Sequence, residues 1–228
     1  MYYPDGIALD STGNIFVVDS GNWRVEKFDA AGKYLSQFGT KGNGNGQFYY
    51  PTGIVLSSAG SIYVIDSHSL GGSGELGGIN RVEQFDAGGK YLSQFGTGQF
   101  VGSDGITMNA LGDFYVTDDN AGVVDKFSAN GAYITKFGTL GFQEGQLLET
   151  AGVAVDASGN TYVADSKRKC VNKYSASGAF LTQIGSAGTG LGAAGDIADP
   201  RGLALDKSGN VYVVNSAYQR IEVFSPSP

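Results

Sequence analysis

Short apolar runs of about five residues, separated by turns rich in glycine, aspartate and asparagine, follow one another along the whole chain. The pattern is periodic. Gly6 to Asp19 reads GIALDSTGNIFVVD, and it returns as GIVLSSAGSIYVID from Gly53, GITMNALGDFYVTD from Gly105, GVAVDASGNTYVAD from Gly152 and GLALDKSGNVYVVN from Gly202. The leading glycines are 47, 52, 47 and 50 residues apart. Self-similarity at this period marks a repeat architecture in which each unit packs on its neighbours.

One repeat predicts four strands. Ile7 to Leu9 is strand A, and the Asp10–Asn14 turn follows, where Gly13 tolerates a positive φ and Asp10 and Asn14 can bond local backbone. Ile15 to Val18 is β-branched and aromatic without polar alternation, which suits a strand B buried on both faces. Arg24 to Phe28 alternates like a half-exposed strand C, and Tyr34 to Phe38 makes strand D before a glycine-rich crossover, Thr40 to Gln47. No stretch carries a helical period, so no helices are expected. Four short antiparallel strands per repeat predict an all-β β-propeller, one blade per repeat, in a single domain with repeats at about 1–48, 49–100, 101–147, 148–197 and 198–228.

Strands A, B and C recur five times but D only four, since the fifth repeat runs from Phe224 into Ser-Pro-Ser-Pro. The last blade is therefore expected to lack its outer strand. An open edge templates pairing with another chain, so self-assembly through that edge, or membership of a larger protein, is expected.

Three stretches resemble the NHL repeat family: Phe38-Gly39-Thr40 through Gln47-Phe48 with Pro51-x-Gly53; the strand Ile62-Tyr63-Val64-Ile65-Asp66-Ser67; and Asn80-Arg81-Val82-x-x-Phe85. The likeness covers nearly the whole chain. Repeats 3 and 4 depart from it with Val123 and Cys170 where repeats 1 and 5 have Arg24 and Arg220, and Asn215 stands where the other repeats have aspartate. The resemblance implies a propeller, commonly six-bladed, that acts as a binding platform for proteins and in some tripartite-motif proteins for RNA. A minority of relatives, such as peptide-amidating lyases, are metal enzymes.

Composition narrows the picture. The net charge is −7 and the sequence pI is near 4.6, which repels the phosphates that dominate nucleic-acid affinity, so no nucleic-acid partner is expected. No run of 18 apolar residues is present, so no membrane partner is expected either. Acidic pI with abundant Gly, Ser, Thr and Tyr fits an extracellular or cell-surface location. The single cysteine, Cys170, leaves no internal disulfide, and the single histidine, His68, removes every site that needs two or three imidazoles. No cofactor and no metal site are expected.

The recurring Asp19/Arg24 and Asp66/Arg81 pairs read as structural charge-assisted bonds, because a site would not be repeated blade by blade. Asp10, Asp156 and Asp206 suggest a ring of calcium ligands, but Ser57 and Asn109 interrupt it, and turn chemistry already explains them. Lys167-Arg168-Lys169 reads as a solvated turn tip, and Cys170 as a buried filler. In an A-B-C-D blade the B-to-C turns and D-to-A crossovers share one face. That face collects Trp23, Tyr50, His68, Arg168, Tyr218 and Gln219, and Trp and Tyr dominate binding hot spots. The resulting expectation is not an enzyme but a non-catalytic scaffold that recognises a protein, peptide or glycan there, with no catalytic residues. The alternative is a calcium-dependent lyase or lactonase whose central channel is lined by Asp5, Thr52, Asp104, Ala151 and Arg201 at the starts of the A strands.

Overall fold

The computed structural model describes residues 1–67, 79–186, 193 and 195–225. Among the described residues nineteen strands form five antiparallel sheets, four running A-B-C-D in sequence order and the fifth A-B-C. The first holds β1 (Pro4–Leu9), β2 (Ile15–Asp19), β3 (Arg24–Phe28) and β4 (Tyr34–Phe38). The second holds β5 (Pro51–Leu56), β6 (Ile62–Asp66), β7 (Arg81–Phe85) and β8 (Tyr91–Phe95). The third holds β9 (Ser103–Met108), β10 (Phe114–Asp118), β11 (Val123–Phe127) and β12 (Tyr133–Phe137). The fourth holds β13 (Thr150–Val155), β14 (Thr161–Asp165), β15 (Cys170–Tyr174) and β16 (Phe180–Ile184). The fifth holds β17 (Pro200–Leu205), β18 (Val211–Asn215) and β19 (Arg220–Phe224), three strands among the described residues. These are β-propeller blades, and the last lacks its outer strand.

By packing, the chain divides into two compact units, Met1–Gly105 with Asn130–Ala132, and Ile106–Ala129 with Tyr133–Pro228. In the first, Phe16, Val18 and Val25 of the first blade pack with Ile54, Ile62, Val64 and Phe85 of the second. In the other, Tyr115, Val124, Val153, Val163 and Tyr174 form one core, and Tyr162, Val171, Val211 and Val213 another.

The leading glycines of the first and fourth repeats have a steric cause. The A strands of blades 1, 2, 4 and 5 each carry one extra residue against strand B, as between Pro4 and Ile7 or Thr150 and Val153, a bulge that bends the inner strand. A Cβ on Gly6 would stand 2.5 Å from the Thr52 carbonyl oxygen, and one on Gly152 would stand 2.3 Å from that of Arg201. Neighbouring inner strands come too close for any side chain there.

Three expectations need correction. Strand A begins earlier than its apolar run, at Pro4 in the first blade, because the bulge draws the preceding polar residues into the ladder. Strand C is half-exposed only in the first and fifth blades; in β7, β11 and β15 all residues but the fourth are buried. Two short 3-10 turns, Ser20–Asn22 and Ser216–Tyr218, interrupt an otherwise helix-free chain. Each ends on a left-handed residue, Trp23 and Gln219, whose amide returns to Ser20 and Ser216 respectively.

The outermost blades leave sheet faces uncovered. Ile7 on β1 is 66% exposed, whereas its counterparts Ile54 and Val153 are 6% exposed. On the fifth blade Tyr212, Val214, Ile221 and Val223 are exposed, although the equivalent Tyr63 and Ile65 are buried.

Candidate functional site

In blades 1, 2, 4 and 5 the last residue of strand B grips the chain entering its own blade. The Asp66 carboxylate accepts the amides of Tyr49 and Tyr50 at 2.7 and 2.9 Å. Asp165 accepts those of Leu148 and Glu149 at 2.9 and 3.4 Å, and Asp19 accepts that of Tyr2 at 2.5 Å. Asn215 uses its amide oxygen for Ala198 and Asp199, at 3.2 and 3.4 Å, and donates to the Asp196 carbonyl at 2.8 Å. The four side chains are fully buried. Ligands cannot reach them, so the structural reading of this repeated residue holds.

The arginine opening strand C clamps the preceding crossover. Arg81 is almost completely buried. Its guanidinium donates to the carbonyls of Asn43, Gly44 and Gln47 at 3.2, 3.0 and 2.8 Å, and to Gln94 Oε1 of β8 at 3.0 Å. It also forms ion pairs with Asp66 and Glu83. Two carboxylates thus share one guanidinium away from water, and burial pushes Glu83 up to about 7. Arg24 repeats the arrangement nearer solvent, binding Asp19 and Glu26 and donating to Gln37 Oε1 at 2.8 Å.

Blades 3 and 4 lack that arginine and solve the problem differently. In blade 3, Val123 and the shorter Asp125 replace Arg and Glu, and burial pushes the Asp125 carboxyl up to about 6. In blade 4, Asn172 donates to the Gln146 carbonyl at 3.1 Å. Arg168, from the B-to-C turn, reaches the same carbonyl at 2.5 Å and Gln183 Oε1 at 3.5 Å. The expected solvated tip is corrected: Arg168 is half-buried and committed to the crossover. Cys170 is fully buried, and burial pushes its thiol up to about 12, so no thiolate nucleophile is held there.

The residues proposed for binding fall into both compact units. Trp23 is half-buried against the core of the first unit, and the Lys41 ammonium lies 4.7 Å from its ring and 5.9 Å from that of Tyr49. Tyr50 is 50% exposed. In the second unit Tyr218 is half-buried under the Arg220 guanidinium, 5.2 Å from its ring, and Gln219 is exposed. His68 lies outside the described residues. Sequence reading missed Leu140 and Phe142, 56% and 79% exposed on the crossover into blade 4. The signal was available: aligned through the bridges Lys41–Phe48 and Leu140–Leu147, they occupy the places of Lys41 and Asn43, where an apolar side chain has no core to enter.

The residues expected to line a channel are divided as well. Tyr50 stands beside the carboxylates of Asp5 and Asp104, and its partial burial, followed by those two charges, pushes its phenol up. Thr52 is buried, donating to the Ser103 carbonyl at 3.4 Å. In the second unit the Ala151 carbonyl accepts from Thr117 at 3.0 Å, and Arg201 pairs with Asp199 at 3.0 Å. Among the described residues no group of three or more His, Cys, Asp or Glu side chains is placed to hold a metal ion.

Comparison with known proteins supplies context. Residues 7–70 match the DUF5128 family, described as a 6-bladed beta-propeller. Protein brain tumor of Drosophila melanogaster is 25% identical over 135 residues, 59% of this chain but only 12% of that protein. Among solved structures, a streptogramin B lyase matches 99% of this chain and 70% of its own, with a TM-score of 0.68 at 16% identity. Virginiamycin B lyase from Staphylococcus aureus gives 0.66 at 13% identity, over 99% of this chain and 71% of its own. A gluconolactonase from Xanthomonas campestris gives 0.70 at 14% identity, over 94% of this chain and 70% of its own. At these identities the likeness is one of fold. The expectation that the chain is not an enzyme is nevertheless overturned as a reading of this architecture, because lyases and a lactonase stand among its structural neighbours. Excluding imidazole-rich zinc sites did not exclude the carboxylate and phenol chemistry that a propeller can carry.

Proposed function

We propose that this chain, an NHL-type β-propeller, recognises a protein or peptide through the face formed by its B-to-C turns and D-to-A crossovers. The observation that carries this reading is the distribution of exposed aromatic side chains. Tyr2, Tyr3 and Tyr50 in the first unit and Phe142 in the second stand exposed on crossover segments of that face. The turns of the opposite face close on themselves: Asp10 accepts the amides of Thr12 and Asn14, Asp29 those of Ala31 and Lys33, and Asp156 those of Ser158 and Asn160. Exposed aromatic rings on rigid backbone lose little side-chain entropy on binding, which is why such residues anchor interfaces. A glycan with apolar sugar faces fits the same rings.

The test is selection from a displayed peptide library and from a glycan array, repeated with Tyr50→Ala and Phe142→Ala variants. Ligands lost by one or both variants support the reading. Ligands retained by both remove the face from consideration.

A second reading has its own observation. Asp5 and Asp104 flank Tyr50 at the starts of β1 and β9, and oxygen donors of this kind suit a hard cation such as calcium. Lyases and a gluconolactonase share the fold. Turnover of a lactone panel that depends on added calcium and is lost in Asp104→Asn supports this reading; absence of turnover with calcium present rejects it.

A further inference from the structure

We propose that Trp23 and Tyr49 are two walls of a site for a quaternary ammonium group, and that the chain's own Lys41 holds the place until such a group displaces it. The site lies on the face of the B-to-C turns and D-to-A crossovers. It rests on the reading of that face as the recognising one, and names a chemical group that the face takes.

Most contacts between a cation and a ring in this chain belong to the blade. Lys27 lies 4.8 Å from the Phe16 ring, Lys126 5.1 Å from that of Tyr115 and Lys173 4.9 Å from that of Tyr162. In each case the partners stand opposite one another on strands B and C, so one register position repeats the contact. Lys41 is outside this pattern. It comes from a crossover, and among the described residues its ammonium alone lies against two rings, 4.7 Å from Trp23 and 5.9 Å from Tyr49. Both distances fall within the roughly 6 Å over which the face of a ring attracts a cation.

Blade 3 shows what the same place becomes without the rings. Trp23 ends its turn at φ +55, and Gly122 holds that position in blade 3 at φ +62. A Cβ on Gly122 would lie 2.7 Å from the Leu140 Cα and 2.8 Å from the Leu147 carbonyl oxygen, so there the crossover closes on the turn. Lys41 and Phe48 are the counterparts of Leu140 and Leu147. Tryptophan thus goes with a cation, and glycine with leucine. A bulky residue adopts the left-handed conformation only at a cost, and blade 1 carries that cost to present an indole.

The walls are fixed before any ligand arrives. Trp23 packs on the core of the first unit, and its amide donates to the Ser20 carbonyl at 3.2 Å. The Tyr49 amide donates to Asp66 at 2.7 Å. Around Lys41 the Phe48 amide donates to the Thr40 carbonyl at 2.9 Å and the Gly42 amide to the Phe48 carbonyl at 3.0 Å, while Arg81 holds the carbonyls of Asn43, Gly44 and Gln47. Lys41 itself is exposed, and its flexible side chain is the part that can leave. A primary ammonium is strongly hydrated and returns to water readily. A trimethylammonium group spreads its charge over apolar methyl groups, which gain from contact with the rings. The net charge of −7 favours a cation as ligand.

Trp23 is the only tryptophan in the chain, so its fluorescence reports on the site directly. Choline chloride, titrated against sodium chloride at constant ionic strength, is expected to change that emission saturably. Lys41→Ala, which vacates the site, should tighten choline binding at least about fivefold, and Tyr49→Leu added to it should weaken binding at least about tenfold. Where Tyr49→Leu is unfolded by circular dichroism, Trp23→Gln decides instead, followed by calorimetry, since Gln219 shows that glutamine fits this backbone in blade 5. A peptide carrying trimethyllysine is the second probe. If it binds more tightly than choline the group belongs to a modified protein partner, if more weakly to a free choline-like molecule, and either order supports the site. No saturable binding of choline or peptide to both the parent and Lys41→Ala overturns the proposal. Equal affinity of those two proteins overturns it as well, as does affinity that survives loss of a wall. None of these variants alters Tyr50 or Phe142, so failure here is distinct from failure of the face to bind peptides or glycans.

Discussion

Arg168, in the turn between β14 and β15, and Arg81, at the head of β7, deliver their guanidinium groups to equivalent targets from different places in the chain. Arg81 donates to the Gln47 carbonyl and to Gln94 Oε1, and Arg168 donates to the Gln146 carbonyl and Gln183 Oε1. The crossovers around Gln47 and Gln146 hold the same position in their blades, each closed by a bridge, Lys41 with Phe48 and Leu140 with Leu147. In blades 2 and 4 a cation therefore pins the same place on the crossover, although it comes from different positions along the chain.

Moving the cation back should restore what its removal loses. Arg168→Ala is expected to destabilise the protein by about 1.5–3 kcal/mol, the range for a lost hydrogen bond to a charged group. Adding Cys170→Arg with Asn172→Glu, which rebuilds the arrangement of blade 2, should recover at least half of that in urea denaturation. No recovery would mean that the two arginines are not interchangeable.

The clamp at the end of strand B needs an acceptor more than a charge, because Asn215 performs it. Asp165→Asn should cost under about 1 kcal/mol, whereas Asp165→Ala, which strands the amides of Leu148, Glu149 and Arg168, should cost more than about 2 kcal/mol. Equal losses for the two variants would contradict the assignment.

Acidity should stabilise the fold within a defined window. Burial raises Glu83 to about 7, and Asp119 and Asp125 to about 6. The folded state therefore holds protons that the unfolded chain releases, so this contribution is complete below the ordinary carboxylate range and is lost as pH rises through about 7. Asp19 shifts the other way, because its hydrogen bonds outweigh the opposing effect of burial, and its contribution is lost as pH falls below the ordinary aspartate value. Stability should thus peak near pH 5 and decline toward pH 8. Glu83→Gln should shrink that decline by roughly 1–3 kcal/mol, a pKa unit being about 1.4 kcal/mol; an unchanged pH slope would count against the burial argument.

Cys170 should resist thiol reagents. With its thiol raised to about 12 and no exposed surface, the native protein at pH 8 is expected to react at least about 100-fold more slowly than the urea-unfolded chain. Comparable rates in Ellman's assay would place the thiol at the surface.

The fold was legible because its determinants are local. Asp10, Gly13 and Asn14 spell one turn, Asp29 and Gly32 the next, and the runs between them have nowhere to go but into strands. The leading glycines were legible as markers while their cause was not, since the approach of Gly6 to Thr52 joins residues of different blades. Arg168 was misread for the same kind of reason: a cation in a turn looks solvated until the carbonyl it serves, from the preceding crossover, is seen. Phe142 escaped notice although the repeat aligns it with the polar Asn43, because an apolar side chain does not by itself announce that its crossover leaves it exposed. Trp23, expected on the aromatic face, packs partly against the core of the first unit.

The repeated polar residues hold the blades, and the proposed recognition rests on the exposed aromatics of the crossovers. Thermal denaturation and ligand affinity, measured side by side on a Tyr50→Ser, Phe142→Ser double variant, test it most directly, using a peptide or glycan selected by the parent protein. The account predicts a melting temperature within about 2 °C of the parent, since exposed substitutions usually change stability by about 0.5 kcal/mol or less, together with at least a tenfold loss of affinity. Full affinity at an unchanged melting temperature would contradict it.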